Sequence, residues 1–139
     1  MRYRLGLAGL LLCVAGAAHA QGTVDIDRSV YVERMREGVR ALEPASTLRP
    51  GDKVVLVLQW RADKAAKGFT VESAVPRALA FQRAGSDAVE VSTDGGRNWG
   101  ELGALKMGQR FASAEDVTHL RLRVAGAASG RMTYSAIVR

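Results

Sequence analysis

Short segments in which apolar and polar residues alternate make up most of this chain. In the clearest of them, residues 53–60 (KVVLVLQW), both alternating sets are largely apolar: Val54, Leu56, Leu58 and Trp60 against Val55, Val57 and Gln59. A period of two is typical of a β-strand, and apolar residues on both faces indicate a central strand that is covered on both sides. We therefore predict that this strand lies in the middle of the core.

Similar segments recur at spacings of about 8–12 residues. The candidates are residues 29–35, 69–75, 79–83, 88–92, 117–124 and 131–138, with a further segment at 97–102 after a glycine pair. Turn-forming residues separate them, most clearly at 49–52 (RPGD), where proline restricts φ and glycine can adopt a positive φ. About 7–9 short strands in one domain predict an all-β, immunoglobulin-like antiparallel β-sandwich, with an antiparallel barrel as the alternative.

The region after the first candidate strand allows two interpretations. Glu37 and Gly38 could form the turn of a hairpin, but four apolar residues also recur near the 3.6-residue period of a helix: Val32, Met35, Val39 and Leu42. Gly38 weakens such a helix and Pro44 prevents its extension. The pattern therefore favours the hairpin.

The first 20 residues differ in character from the rest of the chain. Arg2 and Arg4 precede the apolar run LGLAGLLLCVAGAA, and the segment ends in Ala18-His19-Ala20. A basic start, a short apolar run and small residues at the cleavage positions are typical of a cleavable signal peptide. We predict cleavage after Ala20, which would leave residues 21–139 as one exported domain. That domain would have no transmembrane segment and would be periplasmic, extracellular or at the cell surface.

The composition limits the chemistry of this domain. Cys13, the single cysteine, falls within the predicted signal peptide, so the exported part has no thiol. Lipid attachment to Cys13 is disfavoured because a large residue, Leu12, precedes it. The formal charge of +6 falls by two, to +4, when Arg2 and Arg4 are removed. Because the remaining basic residues are dispersed, no nucleic-acid partner is predicted.

Few residues suggest catalysis or metal binding. His119 lies in a strand-like segment beside Arg121 and Arg123, which indicates a partly exposed, structural histidine. Asp25 and Asp27 could bind calcium weakly, although solvated positions are the favoured interpretation. Further carboxylates are dispersed along the chain at Glu72, Glu90, Glu101, Glu115 and Asp116. We predict no cofactor, no metal and no enzymatic activity. A glycoside hydrolase is a remote alternative, because the separation of paired carboxylates is set only by the fold.

One motif is specific. Residues 92–99 (STDGGRNW) fit S-x-D-x-G-x-x-W, the Asp-box pattern that sialidase-type propellers repeat, and this chain has one copy. An aspartate can accept the N–H groups of a turn, and glycines can adopt a positive φ. A tryptophan that follows can cover the bend. We therefore predict a structural turn motif rather than a catalytic one, formed by Ser92, Asp94, Gly95, Gly96 and Trp99.

The order of these segments resembles a known family. The strings LEPASTLRPGDKVVLVLQW, SAVP, VEVSTDGGRNWGEL, EDVTHLRLRV and GRMTYSAIVR follow one another as in the conserved-repeat domain of bacterial envelope proteins, the domain of unknown function numbered eleven. The resemblance extends from about Tyr31 to Arg139. It implies an immunoglobulin-like sandwich in secreted or surface proteins and implies no activity. The chain departs from the commonest pattern because it has one copy and no obvious anchor.

Together these features predict a non-catalytic exported domain of the cell envelope that binds a protein or polymer through a sheet edge or a loop. The alternative is an assembly accessory or chaperone-like module that acts by strand addition, with the C-terminal RMTYSAIVR as the candidate edge. An exposed Trp60, or an exposed Trp99 beside Arg97, would favour a carbohydrate or protein contact. Burial of both tryptophans would favour a purely structural role.

Overall fold

A computed structural model describes residues 24–62, 67–126 and 129–139, and most of its regular structure is β. The strands are β1 (Val24–Arg36), β2 (Val39–Pro44), β3 (Lys53–Ala62), β4 (Phe69–Ala74), β5 (Leu79–Ala84), β6 (Glu90–Ser92), β7 (Lys106–Met107), β8 (Arg110–Phe111), β9 (His119–Val124) and β10 (Ser129–Val138). A 3₁₀ turn, Ala114–Asp116, lies between β8 and β9. The predicted all-β class is confirmed.

The strands form two main antiparallel sheets that share one core. One sheet has five strands in the order β2-β1-β3-β10-β5, and the other has three in the order β4-β9-β6. The pair β7-β8 forms a separate small hairpin. Buried side chains of both main sheets belong to one cluster, which shows that the sheets pack face to face: Val54, Leu58, Trp60, Met132 and Tyr134 from the larger sheet and Val71, Val91, Leu120 and Val124 from the smaller. The predicted sandwich follows from this packing, and its immunoglobulin-like topology stays a prediction.

Strand β3 is the middle strand of the larger sheet, as its hydrophobicity predicted. Its inner face carries Val54, Leu58 and Trp60, which are 0%, 2% and 4% exposed. On its outer face Val55 and Val57 are only half-buried and Gln59 is exposed. The expectation that both faces are covered is therefore not met on the outer face.

Residues 24–44 form the favoured hairpin and not the helix. Glu37 and Gly38 both have positive φ, 51° and 81°, and Arg36 pairs with Val39 across the turn. Two consecutive residues with positive φ suit a two-residue turn whose twist matches the flanking strands. Strand β1 also begins at Val24, earlier than the predicted Ser29.

Two expectations about strands are wrong. Residues 97–102 form no strand, and only Gly100 makes an isolated bridge, to Val91. The C-terminal segment is not an open edge, because β10 pairs with β3 on one side and with β5 on the other. Alternation reports which face a side chain occupies and carries no information about the strands on either side. Alternation alone therefore cannot distinguish an edge strand from a strand that has neighbours on both sides.

Two findings concern export and membranes. The predicted signal peptide lies outside the described residues, together with Cys13 and the cleavage residues Ala18 and Ala20. Across residues 24–62, 67–126 and 129–139, no helix has the length and apolar character needed to cross a membrane.

Candidate functional site

The Asp-box residues come together in the loop that follows β6. Ser92, which is fully buried, donates its hydroxyl to Asp94 Oδ1 at 2.8 Å and accepts the N–H of Gly96 at 2.9 Å. Asp94 Oδ1 also accepts the backbone N–H groups of Arg97 and Asn98 at 3.1 and 2.9 Å. The loop therefore uses its own side chains to satisfy its backbone donors. These bonds also explain why residues 97–98 join no strand, since their N–H groups point to Asp94.

The same loop is attached to strand β9. Gly95 and Gly96 have φ of 80° and 89°, a region that favours glycine. The N–H of Gly95 donates to Thr118 Oγ1 at 3.0 Å, and the N–H of Thr118 donates to the carbonyl of Ser92 at 2.8 Å. Thr118 thus joins the loop to the residue before β9, and this contact is long-range in sequence.

Trp99 is half-buried and packs against two neighbours. Its Cζ2 lies 3.4 Å from the position that a Cβ on Gly96 would occupy. The guanidinium carbon of Arg121 lies 4.6 Å from the centre of the Trp99 ring, within cation–π distance. Trp60, by contrast, is buried in the core. The two tryptophans therefore differ in burial: Trp60 is buried and Trp99 is half-buried. Neither is fully exposed, and they are not both buried.

The pH dependence of the melting temperature tests the structural role of Asp94. The N–H groups of Asn98, its side-chain amide and the hydroxyl of Ser92 hold the pKa of the Asp94 carboxyl well below its usual range. A carboxyl with a depressed folded-state pKa stabilises the fold above its unfolded pKa of about 3.9, and this contribution is lost as the pH falls further. Asp94→Asn should therefore lower the melting temperature most above about pH 4.

The measurement is calorimetric unfolding of both proteins at a series of pH values. The difference in melting temperature between wild type and Asp94→Asn should shrink as the pH falls towards about 2. Hydrogen bonds from Arg110 and from the Ser113 backbone also lower the pKa of Asp116, but that residue is present in both proteins and its effect cancels. A difference that stays constant over this range would contradict the role given to Asp94.

The dispersed carboxylates do not form a facing pair on the strands that carry them. Glu72 on β4 and Glu90 on β6 both stand opposite Arg121, which lies on β9 between them. Arg121 donates to Glu90 at 2.7 Å, and Arg110 donates to Asp116 at 2.7 Å. Across the described ranges, no group of three or more His, Cys, Asp or Glu side chains could hold a metal ion.

His119 borders an open cleft of about 650 Å³ at one end of the sandwich. Its Nδ1 lies 3.0 Å from Thr118 Oγ1, so the ring is held by the residue that also binds the Asp-box loop. Arg77 and Arg139 line the same cleft together with Glu115. Side chains of both charges meet here, and the cleft shows no preference for a ligand of one charge.

A half-open strand edge is the feature that sequence reasoning missed. Strand β1 pairs with β3 from Val24 to Val32, but with β2 only from Tyr31 to Arg36. The last bond on the β2 side joins the Val30 carbonyl to the Ala45 N–H at 3.0 Å. Because backbone groups alternate in direction along an antiparallel strand, the N–H and C=O groups of Arg28 and Ile26 point to the same side as those of Val30. No strand of the described residues pairs with them there.

An apolar slot lies behind this edge, between β1 and β4. Its volume is about 400 Å³. Its lining is mostly apolar and includes Val30, Leu56, Leu58, Ala74, Pro76 and Tyr134. Strand β4 also pairs on one side only, with β9, so both strands that border the slot have an unpaired edge within the described part of the chain. A segment added along β1 would direct every second side chain into the slot.

The opposite side of the sandwich is different. The opening beside β5 and β6 has a volume of about 450 Å³, and charged side chains contribute to its lining: Arg83, Asp87 and Glu101. Within the described residues, the β1 side combines unpaired backbone groups with a slot whose surface is mainly apolar, although Arg28 and Glu72 also border it. The alternation of Val24, Asp25, Ile26 and Asp27 is the sequence signal that could have identified β1 as a longer strand.

Comparison with known proteins provides no further assignment, because no family model, curated protein or solved structure matches the chain significantly. The resemblance to the conserved-repeat domain of envelope proteins therefore stays a prediction.

Proposed function

We propose that this chain is a non-catalytic exported domain that binds an extended segment of a partner protein along the open half of β1. One observation carries the proposal: the backbone groups of Ile26 and Arg28 face away from β3 without a strand partner in the described residues. Main-chain hydrogen bonds to such an edge provide affinity, and a slot for alternate side chains provides specificity. The predicted signal peptide supports a role outside the cytoplasm, in the periplasm or at the cell surface.

We therefore assign strand addition to β1 in this proposal and not to the C-terminal segment. Strand β10 pairs with β3 over Ser129–Ile137 and with β5 over Tyr134–Val138, so most of the C-terminal segment is covered on both sides. Natural proteins normally protect long open edges, because such edges promote association. An edge that stays open beside an apolar slot supports the proposal of a recognition surface there.

Hydrolysis receives less support from the same contacts. The Asp94 carboxylate is occupied by donors of its own loop, and Arg121 stands between Glu72 and Glu90. A glycosidase needs two carboxyl groups that both face the bond to be broken. These arrangements favour binding over catalysis.

Proline substitutions can test the proposal on each edge separately. Ile26→Pro removes an N–H that faces the open side of β1, and proline is tolerated at edge positions where the N–H faces solvent. Thr70→Pro is the matched control on β4. The Val75 N–H donates to the Thr118 carbonyl, so the backbone N–H and C=O groups of odd-numbered residues in β4 point towards β9. The N–H of Thr70 therefore points to the open side of β4.

The binding assay uses short random peptides displayed on phage and selected against the chain. Selected peptides should bind wild type and Thr70→Pro equally and should lose about tenfold or more in affinity for Ile26→Pro, the equivalent of about 1.4 kcal/mol. Thermal unfolding of each variant confirms that it is folded. The proposal fails if Ile26→Pro binds the selected peptides as wild type does, or if no peptide binds more tightly than about 1 mM.

A further inference from the structure

Two carboxylates mark the outer side of the open β1 edge. Asp25 and Asp27 are both exposed and alternate with the inward-facing Val24 and Ile26. On β3 they stand opposite Arg61 and Gln59. Within the described residues, neither carboxylate has a Lys, Arg or His nitrogen within the 4.0 Å of an ion pair. A strand added along this edge would place its own outward side chains directly beside them, since opposite residues of an antiparallel pair share a face.

The inner side of the edge has the opposite character. Val24, Ile26 and Val30 are partly buried against the core, and the slot beside them is mostly apolar. Arg28 lines the mouth of the slot, where its aliphatic stem can cover an apolar neighbour while the guanidinium stays in water. The inner face of the edge therefore favours apolar side chains of a bound segment, and the outer face favours basic ones.

Self-pairing of the chain is disfavoured by the same residues. If two copies paired antiparallel through Ile26, Asp25 of each copy would stand opposite Asp27 of the other. Pairing centred on Arg28 would place two arginines opposite each other. Like charges directly opposite each other destabilise a strand pair. The charges of Asp25, Asp27 and Arg28 thus disfavour homodimers through this edge, while segments of other sequence can still pair with it.

We propose that the occupant is an extended segment of a different protein in which apolar residues alternate with lysine or arginine. The apolar residues enter the slot between β1 and β4, and the basic residues lie beside Asp25 and Asp27. This inference rests on the proposed function, because it specifies the chemistry of the segment that the β1 edge binds.

Two synthetic peptides of equal length, each long enough to span Val24–Val30, test the charge preference. In one peptide valine alternates with lysine, and in the other valine alternates with glutamate. Binding is followed by the amide shifts of Ile26 and Arg28 in the ¹⁵N-labelled protein. The valine–lysine peptide should bind about tenfold or more tightly at low salt, and the difference should decrease as salt screens the exposed charges.

Variants separate the charge preference from edge recognition. Asp25→Lys combined with Asp27→Lys should reverse the preference in favour of the valine–glutamate peptide. Ile26→Pro should abolish binding of both peptides, and Thr70→Pro should change neither. If Ile26→Pro does not fold, Arg28→Pro removes the next N–H on the same side of β1.

Each outcome has a distinct meaning. Equal binding of the two peptides, lost in Ile26→Pro, overturns the charge inference and leaves edge recognition standing. No binding of either peptide, or binding that Ile26→Pro does not affect, overturns the proposed function itself. A dimer in sedimentation that Ile26→Pro dissociates overturns the assignment to a different protein.

Discussion

Replacing Leu58 with alanine should lower the free energy of unfolding by about 2–5 kcal/mol. Leu58 is 2% exposed and lies on the inner face of β3, the middle strand of the larger sheet. Its removal leaves a cavity between two packed sheets, where the surrounding side chains can relax only partly. Urea unfolding of the wild type and the variant, monitored by circular dichroism, gives the difference directly.

Leu56 is the matched control for this prediction. It lies on the same strand and the same face and lines the same slot between β1 and β4, but it is only half-buried, whereas Leu58 is almost fully buried. Leu56→Ala should therefore cost clearly less than Leu58→Ala, since part of the leucine already contacts solvent. Equal losses for the two variants, or a larger loss for Leu56→Ala, would contradict this difference in burial.

Gly130→Ala should destabilise the domain by about 1–3 kcal/mol, although it adds a single methyl group. Gly130 on β10 stands opposite Trp60 on β3, and a Cβ at this position would overlap the buried indole ring. The ring is 4% exposed and also packs edge-on against Phe69 at 6.3 Å between ring centres. Because Phe69 belongs to the smaller sheet, any displacement of Trp60 disturbs the packing between the sheets.

The control for Gly130 is Gly103→Ala. Nothing lies within 4 Å of a Cβ built on Gly103, and its φ is not in the left-handed region. This variant should change the free energy of unfolding by less than about 0.5 kcal/mol, as is usual for surface substitutions. The comparison separates steric overlap at Trp60 from the general effect of replacing a glycine. Gly130→Ala would contradict the prediction if its urea midpoint matched that of Gly103→Ala.

The Asp-box loop shows how far a local motif can be interpreted. The residues Ser92, Asp94 and Gly96 lie within five positions of one another, and their hydrogen bonds depend mainly on that spacing. A local pattern can therefore suggest the turn. The anchoring of the loop through Thr118 could not be predicted, because the bond from Gly95 spans 23 positions and requires β6 and β9 to be neighbours. The contact between Trp99 and Arg121 depends on the same neighbour relation.

Local sequence patterns were enough to locate most strands and turns of this protein and to divide the side chains of its clearest strands between two faces. Alternation and turn chemistry act over a few residues, so β3, β4, β5 and the turn at Glu37-Gly38 could be predicted locally. Which strands are neighbours follows from the three-dimensional arrangement and not from any local pattern. This arrangement placed β10 between β3 and β5, and it ended the β2 pairing at Ala45, which leaves the first half of β1 open. Side-chain alternation reports burial on the two faces of a sheet, whereas hydrogen-bond pairing joins neighbouring strands within the sheet, and these strands come from segments far apart in the chain.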